Sequence, residues 1–116
     1  MFFQMLKAIN DDEQHSAHAA VLLQQLVADT VEVLEQYGLF KPEQSKDLAK
    51  DLVYRICAVL DGSSFPGRLN GEEIAPFVGF YLNHSTEDAL VPENGSGMHY
   101  AASEAVDLHF ARRAGG

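Results

Sequence analysis

The sequence contains a single cysteine, Cys57, no tryptophan and no long apolar run. One cysteine cannot form a disulfide within the chain, and this is typical of a protein from a reducing compartment. An apolar run of about 20 residues is needed to cross a bilayer. The apolar start of the chain, Met1–Leu6, has no basic region ahead of it. These absences predict a cytoplasmic protein with no membrane span and no secretory signal.

Basic residues are also scarce. The chain has 8 Lys and Arg against 17 Asp and Glu, and its formal net charge is -9. Nucleic-acid phosphates and anionic lipid headgroups both require a basic surface, so neither nucleic acid nor a membrane is an expected partner. Hydrophobic residues make up 47% of the 116 residues, which is enough for one core. We therefore expect a single domain over residues 1–116.

Strict alternation of apolar and polar residues, the sign of a half-buried strand, is missing from the sequence as well. Instead, apolar residues recur every three or four positions from Asp12 to Tyr37, and Gly38 is suited to end a helix there. A second helix is expected to begin at Pro42 and to end before Gly62. Its expected core stripe consists of Leu48, Leu52, Ile56 and Leu60, flanked by Ala49, Val53 and Cys57. The short link predicts that the two helices are antiparallel.

Two shorter helices complete the predicted fold. The segment Glu73–Asn83 is apolar nearly all round, with Pro76 in its first turn, and Ala101–Arg113 carries apolar residues on one side. The stretches Ser63–Gly71 and Glu87–Gly97 are rich in turn-forming residues and are expected to be loops. The sequence thus predicts an all-α domain of about four helices, in which two long antiparallel helices pack with two shorter ones.

The clearest candidate metal site consists of Asp11, Asp12, His15 and His18. Spacings of three and four residues place these side chains on neighbouring parts of one helix face. Imidazole and carboxylate groups together suit zinc, iron or manganese. Two histidines do not complete a tetrahedral site, so a further ligand must come from elsewhere in the chain. The candidates for that ligand are His84, His99, Glu104 and His109.

Aromatic residues in the second half of the chain are candidate contacts with another protein. Phe77, Phe80 and Tyr81 belong to the expected third helix, which has too many apolar residues for one buried side in so small a domain. Phe65 lies in the preceding loop, where it either fills the core or is exposed as a contact. A homo-oligomer is the partner that we expect, and the alternative is a basic protein that binds the acidic surface.

No residue pattern indicates catalysis or a particular cofactor. Cys57 lies on the apolar flank of the second helix without an activating neighbour, and Ser63 and Ser64 lack the sequence that exposes a catalytic serine. We therefore predict a small acidic helical interaction or regulatory protein that has no catalytic activity and associates with itself. The alternative is a metal-binding helical protein or enzyme that uses Asp12, His15 and His18.

Overall fold

The computed structural model describes residues 7–38, 41–65, 67–83, 87–92 and 97–115. This part of the chain forms three α-helices, five short strands and one 3₁₀ turn. In chain order the elements are β1 (Lys7–Asn10), α1 (Asp12–Gln36), α2 (Pro42–Leu60), β2 (Gly67–Leu69), β3 (Glu72–Ile74), β4 (Phe80–Tyr81), β5 (Asp88–Val91), the 3₁₀ turn (Met98–Ala101) and α3 (Ala102–Ala114). The strands form a three-stranded sheet in the order β1-β5-β4 and a separate pair of β2 and β3. The prediction of an all-α fold with four helices is therefore wrong.

Helix α1 begins where its sequence predicts, because Asp11 caps its first turn. Oδ1 of Asp11 accepts a hydrogen bond from the backbone N–H of Gln14 at 3.0 Å, which satisfies one of the free amides at the helix start. The helix ends at Gln36, and Gly38 has a φ of +96°, which glycine adopts without strain. The buried face of α1 consists of His15, Ala19, Leu23, Val27 and Val31.

Helix α2 buries a different face from the one that its large apolar residues predict. The predicted core stripe of Leu48, Leu52, Ile56 and Leu60 remains between 37% and 42% exposed. The residues that α2 buries almost completely are Ser45, Ala49, Val53 and Cys57. Small side chains at these positions allow α2 to approach its neighbours closely, and the larger side chains lie at the edge of that contact. The predicted core stripe of α2 is therefore wrong.

Helix α3 runs parallel to α1. Nε2 of Gln24 donates a hydrogen bond to the carbonyl oxygen of Ala105 at 3.2 Å. Farther along both helices, Nη1 of Arg113 lies 2.6 Å from Oε1 of Glu35. The two contacts follow each other in the same order on α1 and α3, so the helices point in the same direction.

The contacts of α3 with α2 follow the opposite order. Near the start of α2, Nζ of Lys46 and Nζ of Lys50 lie 3.1 and 2.9 Å from Oδ1 of Asp107. Directly after the end of α2, Asp61 bonds to His99 in the 3₁₀ turn that precedes α3. Since α3 is antiparallel to α2 and parallel to α1, the two long helices are antiparallel to each other.

The predicted third helix over Glu73–Asn83 does not form. Its residues instead supply the end of β3, an irregular stretch and β4. Strand β4 pairs antiparallel with β5, and β5 pairs in parallel with β1. Strand β5 itself lies in Glu87–Gly97, which was expected to be a loop. These short strands take their hydrogen bonds from distant parts of the chain, so local periodicity does not reveal them.

One face of the three-stranded sheet joins the core. Leu90 of β5 is fully buried, and its neighbour Phe80 on β4 packs against the core cluster of the helices. That cluster also contains Met98 from the 3₁₀ turn. Among the residues that the structure describes, no helix has both the length and the apolar character needed to cross a membrane.

Candidate functional site

The flank of α2 beside its buried face carries a row of mainly large apolar side chains. We call this row the α2 outer stripe, and it consists of Leu48, Leu52, Ile56 and Val59, which are 42%, 39%, 40% and 44% exposed. At about 100° of rotation per residue, the four positions span roughly 80° of the helix surface. An apolar row that is only partly covered within the chain is typical of a surface that contacts another protein.

Two opposite charges border the α2 outer stripe. Nε of Arg55 lies 3.0 Å from Oδ1 of Asp51 one helical turn earlier. Both side chains are mostly exposed, so this pair stabilises the helix by only about 0.3–0.5 kcal/mol. The lysines of α2 are engaged elsewhere, because Lys46 and Lys50 both pair with Asp107 of α3. The stripe therefore has a border of mixed charge that faces solvent.

The two histidines of the predicted metal site bind backbone carbonyls in the structure. Nε2 of His15, a residue only 2% exposed, donates to the carbonyl oxygen of Val78 at 2.7 Å. Nδ1 of His18 donates to the carbonyl oxygen of Gln14 at 2.8 Å. Both rings pack around Phe80, with centroid distances of 5.3 and 5.6 Å. In this arrangement the histidines attach β4 and the preceding residues to α1.

The two aspartates of the same predicted site lie at the start of α1. Asp11 caps the helix, and Asp12 follows it in the exposed first turn. Over the described ranges of the chain, no group of three or more His, Cys, Asp or Glu side chains is placed to hold a metal ion. Metal binding by Asp11, Asp12, His15 and His18 stays a prediction, and the candidate further ligand His84 lies outside the described residues.

The four predicted contact residues are not together on a helix. Phe77 and Tyr81 are exposed, Phe65 is 37% exposed, and Phe80 is half-buried against the core. Phe77 and Tyr81 line an apolar pocket of about 370 Å³ on the outer face of the three-stranded sheet. The floor of this pocket includes the small residues Ala8, Gly79 and Ala89. Contact of these aromatic residues with a partner stays a prediction.

A buried hydrogen-bonded cluster joins the end of α2 to the 3₁₀ turn. The side chain of Asp61 is 1% exposed, and its Oδ2 accepts from Nδ1 of His99 at 2.5 Å and from the backbone N–H of His99 at 3.1 Å. Its Oδ1 accepts from the hydroxyl of Ser63 at 2.6 Å and from the backbone N–H of Ser63 at 3.0 Å. Burial alone raises the pKa of Asp61, but the four hydrogen bonds outweigh it and hold the pKa at about 2.

This cluster contains the residue types of a serine hydrolase triad but not its geometry. In a triad, the acid binds one ring nitrogen of the histidine and the serine hydroxyl binds the other. Here the hydroxyl of Ser63 lies 3.1 Å from Nδ1 of His99, the same nitrogen that donates to Asp61. His99 therefore cannot accept the proton of Ser63 while Asp61 holds that nitrogen. The arrangement fastens two segments of the chain together.

The single cysteine lies one turn before this cluster. Cys57 is fully buried, and burial raises the pKa of its thiol to about 11, with a further contribution from the negative charge of Asp61. A thiol that is buried and protonated at neutral pH is a poor nucleophile. Its environment supports a structural role in the core.

The sequence patterns do not predict the pairing of Asp61 with His99. The local signal for part of it is Asp61-Gly62-Ser63 after a helix, because aspartate and serine commonly accept backbone hydrogen bonds where a helix ends and a turn begins. No local signal links these residues to His99, which lies 38 positions away. Only the packing of α3 against α2 brings the two segments together.

Comparisons with known proteins identify no relative. No family model matches the chain, no curated protein matches it, and no solved structure matches it. The function is therefore to be inferred from the surfaces and side chains described above.

Proposed function

We propose that the protein is a small non-enzymatic interaction protein that associates with itself through the α2 outer stripe. The observation that carries this proposal is the orientation of α2, which buries a row whose largest side chain is Val53 and leaves leucine and isoleucine side chains partly exposed. A helix that packs only within its own chain usually buries the side with the larger apolar residues. The α2 outer stripe is a continuous apolar surface that gains free energy from a second covering element.

Covering this stripe supplies part of the free energy that a reversible dimer requires. Complete burial of a leucine-sized side chain is worth about 1.5–3 kcal/mol. Each side chain of the stripe is still about two-fifths exposed, so covering all of them in two copies contributes roughly 5–10 kcal/mol. Association costs about 4–15 kcal/mol in lost freedom of motion, and surrounding contacts contribute further. The stripe therefore needs the contacts around it to form a stable dimer, and we expect a reversible association with a dissociation constant of micromolar order.

Sedimentation equilibrium of the wild type and two variants tests the proposal. Leu52→Glu places a charge in the middle of the stripe, and we expect it to abolish the dimer. Val21→Glu is the matched control, because Val21 is 73% exposed but lies on α1 in a groove shared with α3. We expect Val21→Glu to associate like the wild type. A wild type that stays monomeric up to about 500 μM, well above the expected dissociation constant, contradicts the proposal.

Other features support the same proposal. The serine–histidine–aspartate cluster lacks catalytic geometry, and the only thiol, that of Cys57, is buried. The net charge of -9 argues against nucleic acid and anionic membranes as partners. A cytoplasmic location belongs to the proposal as well, and its support is the lone unpaired cysteine.

A further inference from the structure

The charged border of the α2 outer stripe is complementary to itself. Asp51 and Arg55 lie one helical turn apart on the same edge of the stripe, and their side chains are 61% and 75% exposed. Within the described part of the chain, Asp51 and Arg55 form an ion pair with each other and with no other residue. One acid and one base in this spacing match a second copy of the same helix that runs in the opposite direction.

We infer that the occupant of the α2 outer stripe is a second copy of this chain, with the two α2 helices packed antiparallel across a two-fold axis. The axis passes midway between Asp51 and Arg55, at the height of Val53 along the helix. Asp51 of each copy then lies opposite Arg55 of the other copy, and the two contacts are equivalent by symmetry. This inference rests on the proposed function and adds the partner and its orientation.

The same axis interleaves the apolar side chains of the two copies. With a rise of about 1.5 Å per residue, Leu52 lies about 1.5 Å to one side of the axis and Ile56 about 4.5 Å to the other. Their symmetry mates occupy the reverse positions, so the side chains alternate in height along the contact. Leu48 and Val59 alternate in the same way toward the ends. Side chains that alternate can interdigitate, as packed helices require.

The charges select the antiparallel orientation over the parallel one. A parallel pair with matching heights places Asp51 beside Asp51 and Arg55 beside Arg55, which repel each other. Each copy also carries a net charge of -9, so the two copies repel at long range. At 0.15 M salt the screening length is about 8 Å, which weakens this long-range repulsion more than the contact between paired side chains.

The test reverses each charge alone and then mixes the two variants. Asp51→Arg places arginines opposite each other in the homodimer, and Arg55→Asp places aspartates opposite each other. In sedimentation equilibrium at 0.15 M salt, we expect each variant to raise the dissociation constant by about tenfold or more. An equal mixture restores opposite charges at both contacts. We expect it to form a heterodimer with a dissociation constant within roughly threefold of the wild-type value.

Two control variants, Glu32→Arg and Leu52→Glu, distinguish failure of the antiparallel pairing from failure of the proposed function. Glu32→Arg on α1 alters the net charge by the same amount as Asp51→Arg at an exposed position, and we expect wild-type association. Circular dichroism confirms that each variant keeps its helices. If the mixture fails to recover, or if both reversals dimerise like the wild type, the antiparallel pairing is wrong. If Leu52→Glu abolishes the dimer in that case, the proposed function still holds. A wild type that stays monomeric overturns both.

Discussion

The buried carboxylate of Asp61 permits a quantitative prediction about stability. Its four hydrogen bonds come from Ser63 and His99, which lie on both sides of the junction between α2 and the 3₁₀ turn. Asp61→Asn removes the negative charge and points an amide N–H₂ toward groups that are themselves donors. The substitution therefore weakens the attachment of the 3₁₀ turn to α2.

The magnitude follows from the pKa of this group. The hydrogen bonds hold the pKa of Asp61 at about 2, against an ordinary value of 3.8. At about 1.36 kcal/mol per unit of pKa, the charged form stabilises the folded state by roughly 2–3 kcal/mol at neutral pH. Because the side chain is 1% exposed, solvent screening reduces this value little. We expect Asp61→Asn to lose about 2–3 kcal/mol of unfolding free energy at pH 6.

The pH dependence has a definite sign. The pKa of Asp61 is lower in the folded state than in the unfolded chain, so the folded state binds fewer protons. The stabilisation is complete above about pH 5 and is lost as the pH falls toward 2. Urea unfolding of wild type and Asp61→Asn between pH 2.5 and pH 6 measures the difference between them. We expect that difference to shrink to about 1 kcal/mol at pH 2.5.

A matched variant separates the effect of Asp61 on the unfolding free energy from the effects of the other carboxylates. Asp47→Asn alters an exposed acid on the same helix, and we expect it to unfold within about 0.5 kcal/mol of the wild type at every pH. The reasoning about Asp61 is refuted if the wild type and Asp61→Asn differ by the same amount at pH 2.5 and pH 6. It is equally refuted if the two proteins are equally stable at neutral pH.

Two further predictions concern the N-terminal end of α1 and the sheet. Since Nε2 of His15 donates to the carbonyl of Val78, we expect protein purified without an affinity tag to contain no stoichiometric metal and to keep its Tm in a chelator. Stoichiometric zinc, iron or manganese that is lost in His15→Ala would establish the predicted metal site instead. Phe80 packs against His15 and the core whereas Phe77 is exposed. Thermal unfolding should therefore show that Phe80→Ala loses about 2–4 kcal/mol and Phe77→Ala less than about 1 kcal/mol, and equal losses would contradict this placement.

The helices are the part of the fold that local sequence patterns could predict. Asp11 supplies a cap, Gly38 supplies the positive φ after the helix, and Pro42 stands at the first position of α2. These signals act within a few residues of each other, so they are readable without tertiary structure. The last helix also lies close to its predicted position, over Ala102–Ala114.

The pairing of β1 with β5 required information that lies outside any local window. Strand β5 has its partners in β1 and β4, and β1 is about 80 residues away in the register of Lys7 with Asp88. The β2–β3 pair does have a local signal, since Asn70-Gly71 is a typical two-residue turn of a β-hairpin. Both residues have positive φ, and they connect β2 to β3.

The candidate site, like the fold, depends partly on the local sequence and partly on the tertiary structure. The sequence alone determined which residues of α2 are large and apolar, where Asp51 and Arg55 stand, and that the 17 acidic residues outnumber the 8 basic ones. Tertiary structure decided which face of α2 is buried. Ala49, Val53 and Cys57 belong to the core cluster that α2 forms with α1 and α3, because smaller side chains let helices pack closely. The α2 outer stripe remained partly exposed. Both rows repeat every four residues and lie side by side on the helix, so periodicity alone cannot tell which of them is buried.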